Sequence, residues 1–185
     1  MKAAHMITCF LLVTITTAAA TILPGTSSTA SGEDKPAVGT PTEAALARTR
    51  KMTAMLDNIY KQAVVLITDK YVHDEDDFAA GSAAVLLFKN VSASGSHQVR
   101  LIDASGKPTN DDNVAKDNFE REGIKHLKGG DANYEKVVTL DGKPQLRTLT
   151  PVPVVMKKCV MCHDHYADAK KGEPIGAISY IVPIE

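Results

Sequence analysis

The chain has 185 residues, with 21 basic and 22 acidic side chains and a formal net charge of −1. It carries no block of basic residues, and its four Phe and five Tyr form no basic surface interleaved with aromatic rings, so the composition argues against nucleic acid as a partner. The length fits one modest domain preceded by a targeting segment.

The first 20 residues have the pattern of a signal peptide. Lys2 and His5 precede an apolar run over residues 6–20, which ends in three small residues, Ala18, Ala19 and Ala20. The run is short for a membrane span, so it predicts a segment that is removed after export, with an uncleaved anchor as the alternative. We expect a periplasmic or otherwise exported protein with no membrane span after cleavage. Residues 21–39, rich in Gly, Ser, Thr and Pro from residue 24 onwards, predict a flexible spacer.

The folded domain is predicted to cover residues 40–185 and to begin with a long helix. Thr40 can cap this helix, Pro41 suits its first position, and Glu43 completes a capping box. No Gly or Pro interrupts residues 42–71, and apolar residues recur there at helical spacing. The predicted apolar face consists of Leu46, Met52, Leu56, Ile59, Ala63, Leu66 and Ile67. A shorter helix is predicted over residues 78–88.

The second half of the domain alternates between strand and helix patterns. Residues 97–103 predict a strand, residues 114–127 predict a helix, and residues 175–184 predict a final strand. Two further strands, over residues 134–140 and 145–150, flank Asp141-Gly142, which is a hairpin signal. The sequence therefore predicts an α+β domain with a small, mostly antiparallel sheet.

The most specific motif is the five-residue stretch Cys159-Val160-Met161-Cys162-His163. Cys-x-x-Cys-His is the attachment signature of a c-type haem, in which both thiols form thioether bonds to the porphyrin and the histidine binds iron. Three alternatives remain: a zinc site completed by His163 and His165, a dithiol redox centre, and a structural disulfide. The fixed Cys-Cys-His order and the late position of the motif favour one covalently bound haem c.

Around this motif the chain resembles a family of small exported c-type haem proteins with a PAS-like fold, known as free-standing cytochromes and as extracytoplasmic sensor domains. The resemblance spans roughly residues 45–184, and the haem motif is its specific part. The looser matching segments are Val99-Arg100-Leu101, Lys107-Pro108-Thr109-Asn110 with Asn113, Leu146-Arg147 with Pro151, and Ile175-Gly176-Ala177-Ile178-Ser179. The resemblance implies a PAS-like sheet that cradles the porphyrin, with a C-terminal haem-binding loop. It assigns haem binding to Cys159, Cys162 and His163, with His163 as the metal ligand.

The chain departs from that family on the other side of the expected iron site. Members commonly carry a cysteine in the N-terminal helix that can reach the iron, whereas residues 63–67 here are Ala-Val-Val-Leu-Ile. The sixth iron ligand is left open among His73, His97, His126, a methionine, and a vacant or water-filled position.

Other residues are candidates for contacts with the two faces and the edge of the haem. His165 lies too close to His163 along the chain to cross easily to the opposite face of the porphyrin. Met156 and Met161 have the same difficulty, and they can pack against the ring instead. Arg100 and Arg147, on predicted strands, are candidate partners for the haem propionates.

Two functions follow from these residues. The first is electron transfer to and from a redox partner protein. The alternative is a haem-based redox or gas sensor that binds NO or CO. The coordination of the iron distinguishes them, because two strong protein ligands favour electron transfer and an open position favours small ligands. No distal acid–base pair can be argued from the sequence, so we expect no enzyme.

Overall fold

The folded part of the protein is seen in a computed structural model that describes residues 39–74, 77–161 and 164–185. The predicted signal peptide, over residues 1–20, and residues 21–38 of the predicted spacer lie outside the described residues, as do Cys162 and His163. No helix in the described ranges combines the length and the apolar character needed to cross a bilayer.

Three α-helices and four strands make up the described part of the chain. The helices are α1 (Glu43–Tyr71), α2 (Ala80–Ala93) and α3 (Asn118–Lys128), and the strands are β1 (Gln98–Asp103), β2 (Tyr134–Leu140), β3 (Lys143–Pro153) and β4 (Pro174–Pro183). Short 3-10 helices cover Asp111–Asn113, Lys157–Val160 and Asp164–Asp168. The strands form one antiparallel sheet in the order β1-β4-β3-β2. The expected α+β, PAS-like architecture with a long N-terminal helix is confirmed.

The last strand is the centre of the sheet and separates two apolar cores. Ile178, Tyr180 and Val182 of β4 pack with Tyr60 of α1 and Phe88 of α2 on one face. On the other face, Ala177 packs with residues of α3, among them Phe119 and Leu127. The alternation follows from the two-residue period of a strand, and both faces of β4 are apolar because helices cover both sides.

The turn between β2 and β3 was correctly predicted from Asp141-Gly142. Their φ angles are +50° and +73°, which is the left-handed region that a two-residue type I′ hairpin turn needs at both positions. Asp and Gly adopt this region more readily than most other residues, so these two residues identify the position of the hairpin turn.

The start of α1 differs from the prediction by two residues. The cap is Thr42, whose hydroxyl accepts a hydrogen bond from the backbone N–H of Ala45 at 3.2 Å, and the helix begins at Glu43. Thr40 and Pro41 precede it. Thr42 takes the role because its oxygen lies within reach of a first-turn N–H that has no helical partner.

The buried face of α1 also differs from the predicted one. Thr49, Thr53 and Thr68 are buried, whereas Met52 and Ile59 of the predicted face are about half exposed. Each buried threonine hydroxyl donates to the carbonyl four residues earlier, at 2.8–3.1 Å, so its burial leaves no unpaired hydroxyl proton. The predicted apolar face is therefore right at Leu46 and Leu56, which pack in the core, and misses the buried threonines.

Candidate functional site

The segment after β3 carries the part of the haem motif that the structure describes. Cys159 lies half-buried in the 3-10 helix Lys157–Val160, and its backbone N–H donates to the carbonyl of Met156 at 3.1 Å. Another 3-10 helix begins at Asp164, directly after the motif. Cys162 and His163 remain sequence predictions, because they lie outside the described residues.

An apolar cavity of about 320 Å³ opens beside Cys159, between the two N-terminal helices, the sheet and the motif segment. This volume is within the range of sites that hold small molecules and cofactors. Apolar side chains form most of its wall, among them Val64, Val65, Val85, Phe88, Leu101 and Ile178. A flat apolar ring system suits such a wall, and Cys159 is one of the residues that line it. The apolar wall beside Cys159 therefore suits a haem.

Segments that are distant in the sequence meet at this cavity. Pro108, Thr109, Asn110 and Asn113 line it from the region after β1, and Ile175 lines it from the start of β4. All of them belong to the loosely matching segments on which the family resemblance rested. Their convergence on Cys159 indicates that these segments share one site.

Comparison with known protein families agrees with this arrangement. The Tll0287-like family matches residues 39–183, which is most of the chain. The protein belongs to the Tll0287-like family. No curated protein matches the chain. Membership of the Tll0287-like family supports a haem-binding domain. Haem is also the class of ligand that the cavity beside Cys159 suits.

In this Tll0287-like domain, the three histidines considered as the sixth ligand lie away from the described cavity wall. His97 is buried, with Nε2 at 2.7 Å from the Tyr60 hydroxyl and Nδ1 at 3.1 Å from the Ser96 hydroxyl. Burial lowers the pKa of His97, so its imidazole is neutral at pH 7. His126 pairs with Asp131 at 2.8 Å.

His73 and the two helix methionines complete the survey of predicted ligands. His73 is exposed just after α1, where its backbone N–H donates to Asp77 at 2.6 Å. Met52 and Met55 are exposed on α1. His73, Met52 and Met55 are all absent from the described cavity wall.

The two arginines considered as propionate partners are engaged elsewhere. Arg100 pairs with Glu120 and donates to the carbonyls of Asp112 and Val114, both at 2.9 Å. Arg147 pairs with Asp117 at 2.7 Å and packs over the ring of Phe119.

Lysines supply the cationic groups in the described cavity wall. They are Lys61 of α1 and Lys158 of the motif segment. A lysine ammonium is a suitable partner for an anionic substituent. Neither lysine was predicted from the sequence to lie at the site.

A polar cluster at the edge of the cavity was also missed. Asp57 Oδ1 accepts hydrogen bonds from the hydroxyls of Thr150 at 2.6 Å and Tyr180 at 3.0 Å, while Oδ2 pairs with Lys61 at 2.8 Å. Tyr180 is fully buried, and burial together with the charge of Asp57 raises its pKa far above the ordinary value. The cluster ties α1 to the two central strands, and its sequence signal was only the four-residue spacing of Asp57 and Lys61.

Lys158 joins the motif segment to the end of α1. Its Nζ donates to the backbone carbonyls of Asp69 and Val72, each at 2.8 Å. Carbonyls at a helix C-terminus lack helical partners, and a lysine ammonium satisfies them while it complements the helix dipole. Because Lys158 directly precedes Cys159, this contact fixes the motif segment against α1.

Proposed function

We propose that the protein binds a single haem c covalently through Cys159 and Cys162, with His163 as the proximal iron ligand. The observation that carries the proposal is the position of Cys159 in the wall of an apolar cavity between the helices and the sheet. The Cys-x-x-Cys-His order then supplies the second thiol and the imidazole three and four residues later in the sequence.

The two thiols attach the group by addition. Each sulfur forms a bond to one carbon of a porphyrin vinyl group, and the thiol hydrogen goes to the other vinyl carbon, so no leaving group or oxidant is needed. Iron held in this way supplies one-electron chemistry and binding of small ligands. Because c-type haem is attached outside the cytoplasmic membrane, the proposal includes export, with residues 1–20 as the signal peptide.

We propose further that the iron keeps a position open to a small ligand such as NO or CO, which suits a redox or gas sensor. Among the described residues, no histidine lines the cavity. Tyr166 does line it, but burial and the charge of Asp103 raise the pKa of Tyr166 and disfavour the phenolate that binds iron strongly. Lys61 and Lys158 are engaged by Asp57 and by backbone carbonyls.

Electron transfer is the second candidate, and Met156 is the observation that favours it. Met156 lines the cavity and lies seven residues from His163, against two for His165, so the chain between them can span the larger distance; methionine with histidine is the ligand pair of many electron-transfer cytochromes. A Met156–iron bond would give a six-coordinate iron that exchanges electrons with a partner protein.

Covalent attachment is tested by the mass of the protein produced with a haem-maturation system. We expect the apo-protein mass plus one haem, and a haem that stays with the chain under denaturing conditions. Cys159→Ala and Cys162→Ala should each leave a single thioether, and the double variant should carry no covalent haem. Met161→Ala, within the motif but outside the attaching set, is the matched control. A wild-type protein of apo mass contradicts the proposal.

Optical spectra of the ferric and dithionite-reduced protein, repeated with CO and NO, separate the two roles. A high-spin spectrum that changes at once with CO supports the open position. A low-spin spectrum unaffected by CO supports electron transfer instead. In that case Met156→Ala should convert the spectrum to high spin if Met156 is the ligand.

A further inference from the structure

The helical side of the domain carries most of its exposed apolar surface. Seven of the eleven large apolar side chains left exposed in the described part of the chain lie between α1 and the end of α2: Met52, Met55, Ile59, Leu66, Tyr71, Phe78 and Leu86. Clustered apolar exposure of this kind marks interaction surfaces on soluble proteins. The first five of these residues belong to α1, and the four that precede its last residue, Tyr71, are between 41% and 56% exposed.

These four residues and half-buried Ala63 form one line along α1, here called the α1 stripe. Its positions are 52, 55, 59, 63 and 66, which is the three- and four-residue spacing of a single helix face. The stripe runs for about 21 Å at 1.5 Å per residue. The buried face of α1, with Thr53 and Tyr60, points to the sheet, and the stripe lies beside that face, next to half-buried Leu56.

The spacing of the stripe is symmetrical about Ile59. Met52 and Leu66 lie seven residues before and after it, and Met55 and Ala63 lie four residues before and after it. A two-fold interface requires a surface that is complementary to itself. Two antiparallel copies of α1 centred on Ile59 place Met52 against the partner's Leu66, Met55 against the partner's Ala63, and Ile59 against the partner's Ile59.

The charges beside the stripe include one pair that favours this pairing and one that opposes it. Lys51 lies eight residues before Ile59 and Asp69 ten residues after it, on the same side of the helix. The antiparallel arrangement therefore brings Lys51 close to the partner's Asp69, and the two-fold axis repeats the pair. The same arrangement places Arg48, eleven residues before Ile59, opposite the partner's Lys70, eleven residues after it, and this like-charge contact opposes the pairing; the ion pair of Lys70 with Asp69 in its own chain offsets part of the repulsion.

We propose that α1 is a dimerisation helix that pairs antiparallel with α1 of a second copy of this chain, about a two-fold axis at Ile59. Stable interfaces bury about 800 Å² on each partner, and a single-helix contact is at the low end of that scale. The dimer should accordingly dissociate on dilution. The inference does not depend on haem binding.

A charged residue at position 59 tests the pairing, because the two-fold axis places residue 59 of one copy against residue 59 of the other. Sedimentation velocity of the full-length protein over a wide concentration range should show a monomer–dimer equilibrium. Ile59→Glu or Ile59→Lys places two like charges together and should weaken self-association by about 30-fold or more. A mixture of the two variants should restore a dimer with one copy of each. Val137→Glu, at an apolar residue of similar exposure on β2, is the matched control and should dimerise as the wild type does.

Three results would overturn the proposal. They are a wild type that is monomeric at every concentration, Ile59 variants that dimerise like the wild type, and a mixture of variants that stays monomeric. A monomer that binds anionic lipid vesicles through the α1 stripe would also overturn it, in favour of a membrane surface. Circular dichroism and thermal unfolding establish that the variants are folded, as expected for changes at a half-exposed residue.

Discussion

Among the polar side chains of α1, Asp57 is the one whose removal we expect to lower the free energy of unfolding most. Its carboxylate accepts hydrogen bonds from Thr150 and Tyr180, whose side chains are 7% and 0% exposed, and it also pairs with Lys61. In Asp57→Ala both buried hydroxyls lose an ionised acceptor. They can then bond to each other at most once, which leaves at least one buried O–H unpaired.

The magnitude follows from these contacts. Hydrogen bonds to charged groups contribute about 1.5–3 kcal/mol each, and an unpaired buried donor costs a similar amount. The ion pair with Lys61 is partly exposed and adds little. We expect Asp57→Ala to lower the free energy of unfolding by about 3 kcal/mol, or the melting temperature by about 6–12 °C for a domain of this size. Tyr180→Phe, which deletes one of these bonds and leaves no orphaned proton, should cost about 1.5 kcal/mol, the low end of that range.

Urea and thermal unfolding followed by circular dichroism would measure both changes and their double variant. Because Tyr180→Phe removes the hydroxyl that Asp57→Ala orphans, the double variant should cost less than the sum of the two single changes. Asp131→Ala, which removes an exposed carboxylate paired with His126, is the control and should change stability by about 0.5 kcal/mol or less. A cost for Asp57→Ala as small as that of the control, or strictly additive changes, would refute the account.

Three further changes probe other parts of the domain. Gly123→Ala places a Cβ 2.7 Å from Cδ2 of buried Leu149, so either the Leu149 side chain or α3 must shift. Unfolding should show a loss of about 1–3 kcal/mol, and an unchanged melting point would contradict this. Burial lowers the pKa of His97, so on acidification His97 takes up a proton at a higher pH in the unfolded chain than in the folded one. The contribution of neutral His97 to the free energy of unfolding is therefore complete above about pH 6.5 and decreases as the pH falls below that value. Melting curves of His97→Gln, measured over this pH range, should lack the decrease. Lys158→Met should speed hydrogen exchange at the last turn of α1, whereas Lys157→Met, at an exposed neighbour, should not; equal effects would argue against the bridge.

The sequence predicts the fold best where local chemistry decides the outcome. Asp141-Gly142 identifies its hairpin because few residue pairs adopt two consecutive positive φ angles at low cost. The buried face of α1 is harder to predict, because it depends on threonines whose hydroxyls are satisfied within the helix. Their burial becomes evident only once the sheet is present. Sequence spacing alone also does not distinguish an apolar face that meets the core from one that meets solvent.

The candidate site also combines a residue that a local motif identifies with residues whose roles depend on long-range contacts. Cys159 is recognisable from its motif, since attachment chemistry fixes the order of three residues within five. Lys158 and Asp57 carry no such signature, because their roles arise from long-range contacts with α1 and with β3 and β4. The histidines were candidates by residue type, and their positions on separate elements decide which can reach the cavity.

The central position of β4 has a consequence for the order in which the chain can fold. β1 pairs with β4 across an intervening stretch of about 70 residues, so the sheet has a gap at its centre until residues 174–183 have been synthesised. The helices and the β2–β3 hairpin can form earlier, but they lack the strand on which both apolar cores are built. Cys159 precedes β4, and the cavity wall around it stays incomplete until β4 pairs with β1 and β3, which for an exported chain occurs after translocation. Any enzyme that modifies its thiol at this stage meets an open chain, and folding afterwards encloses the result.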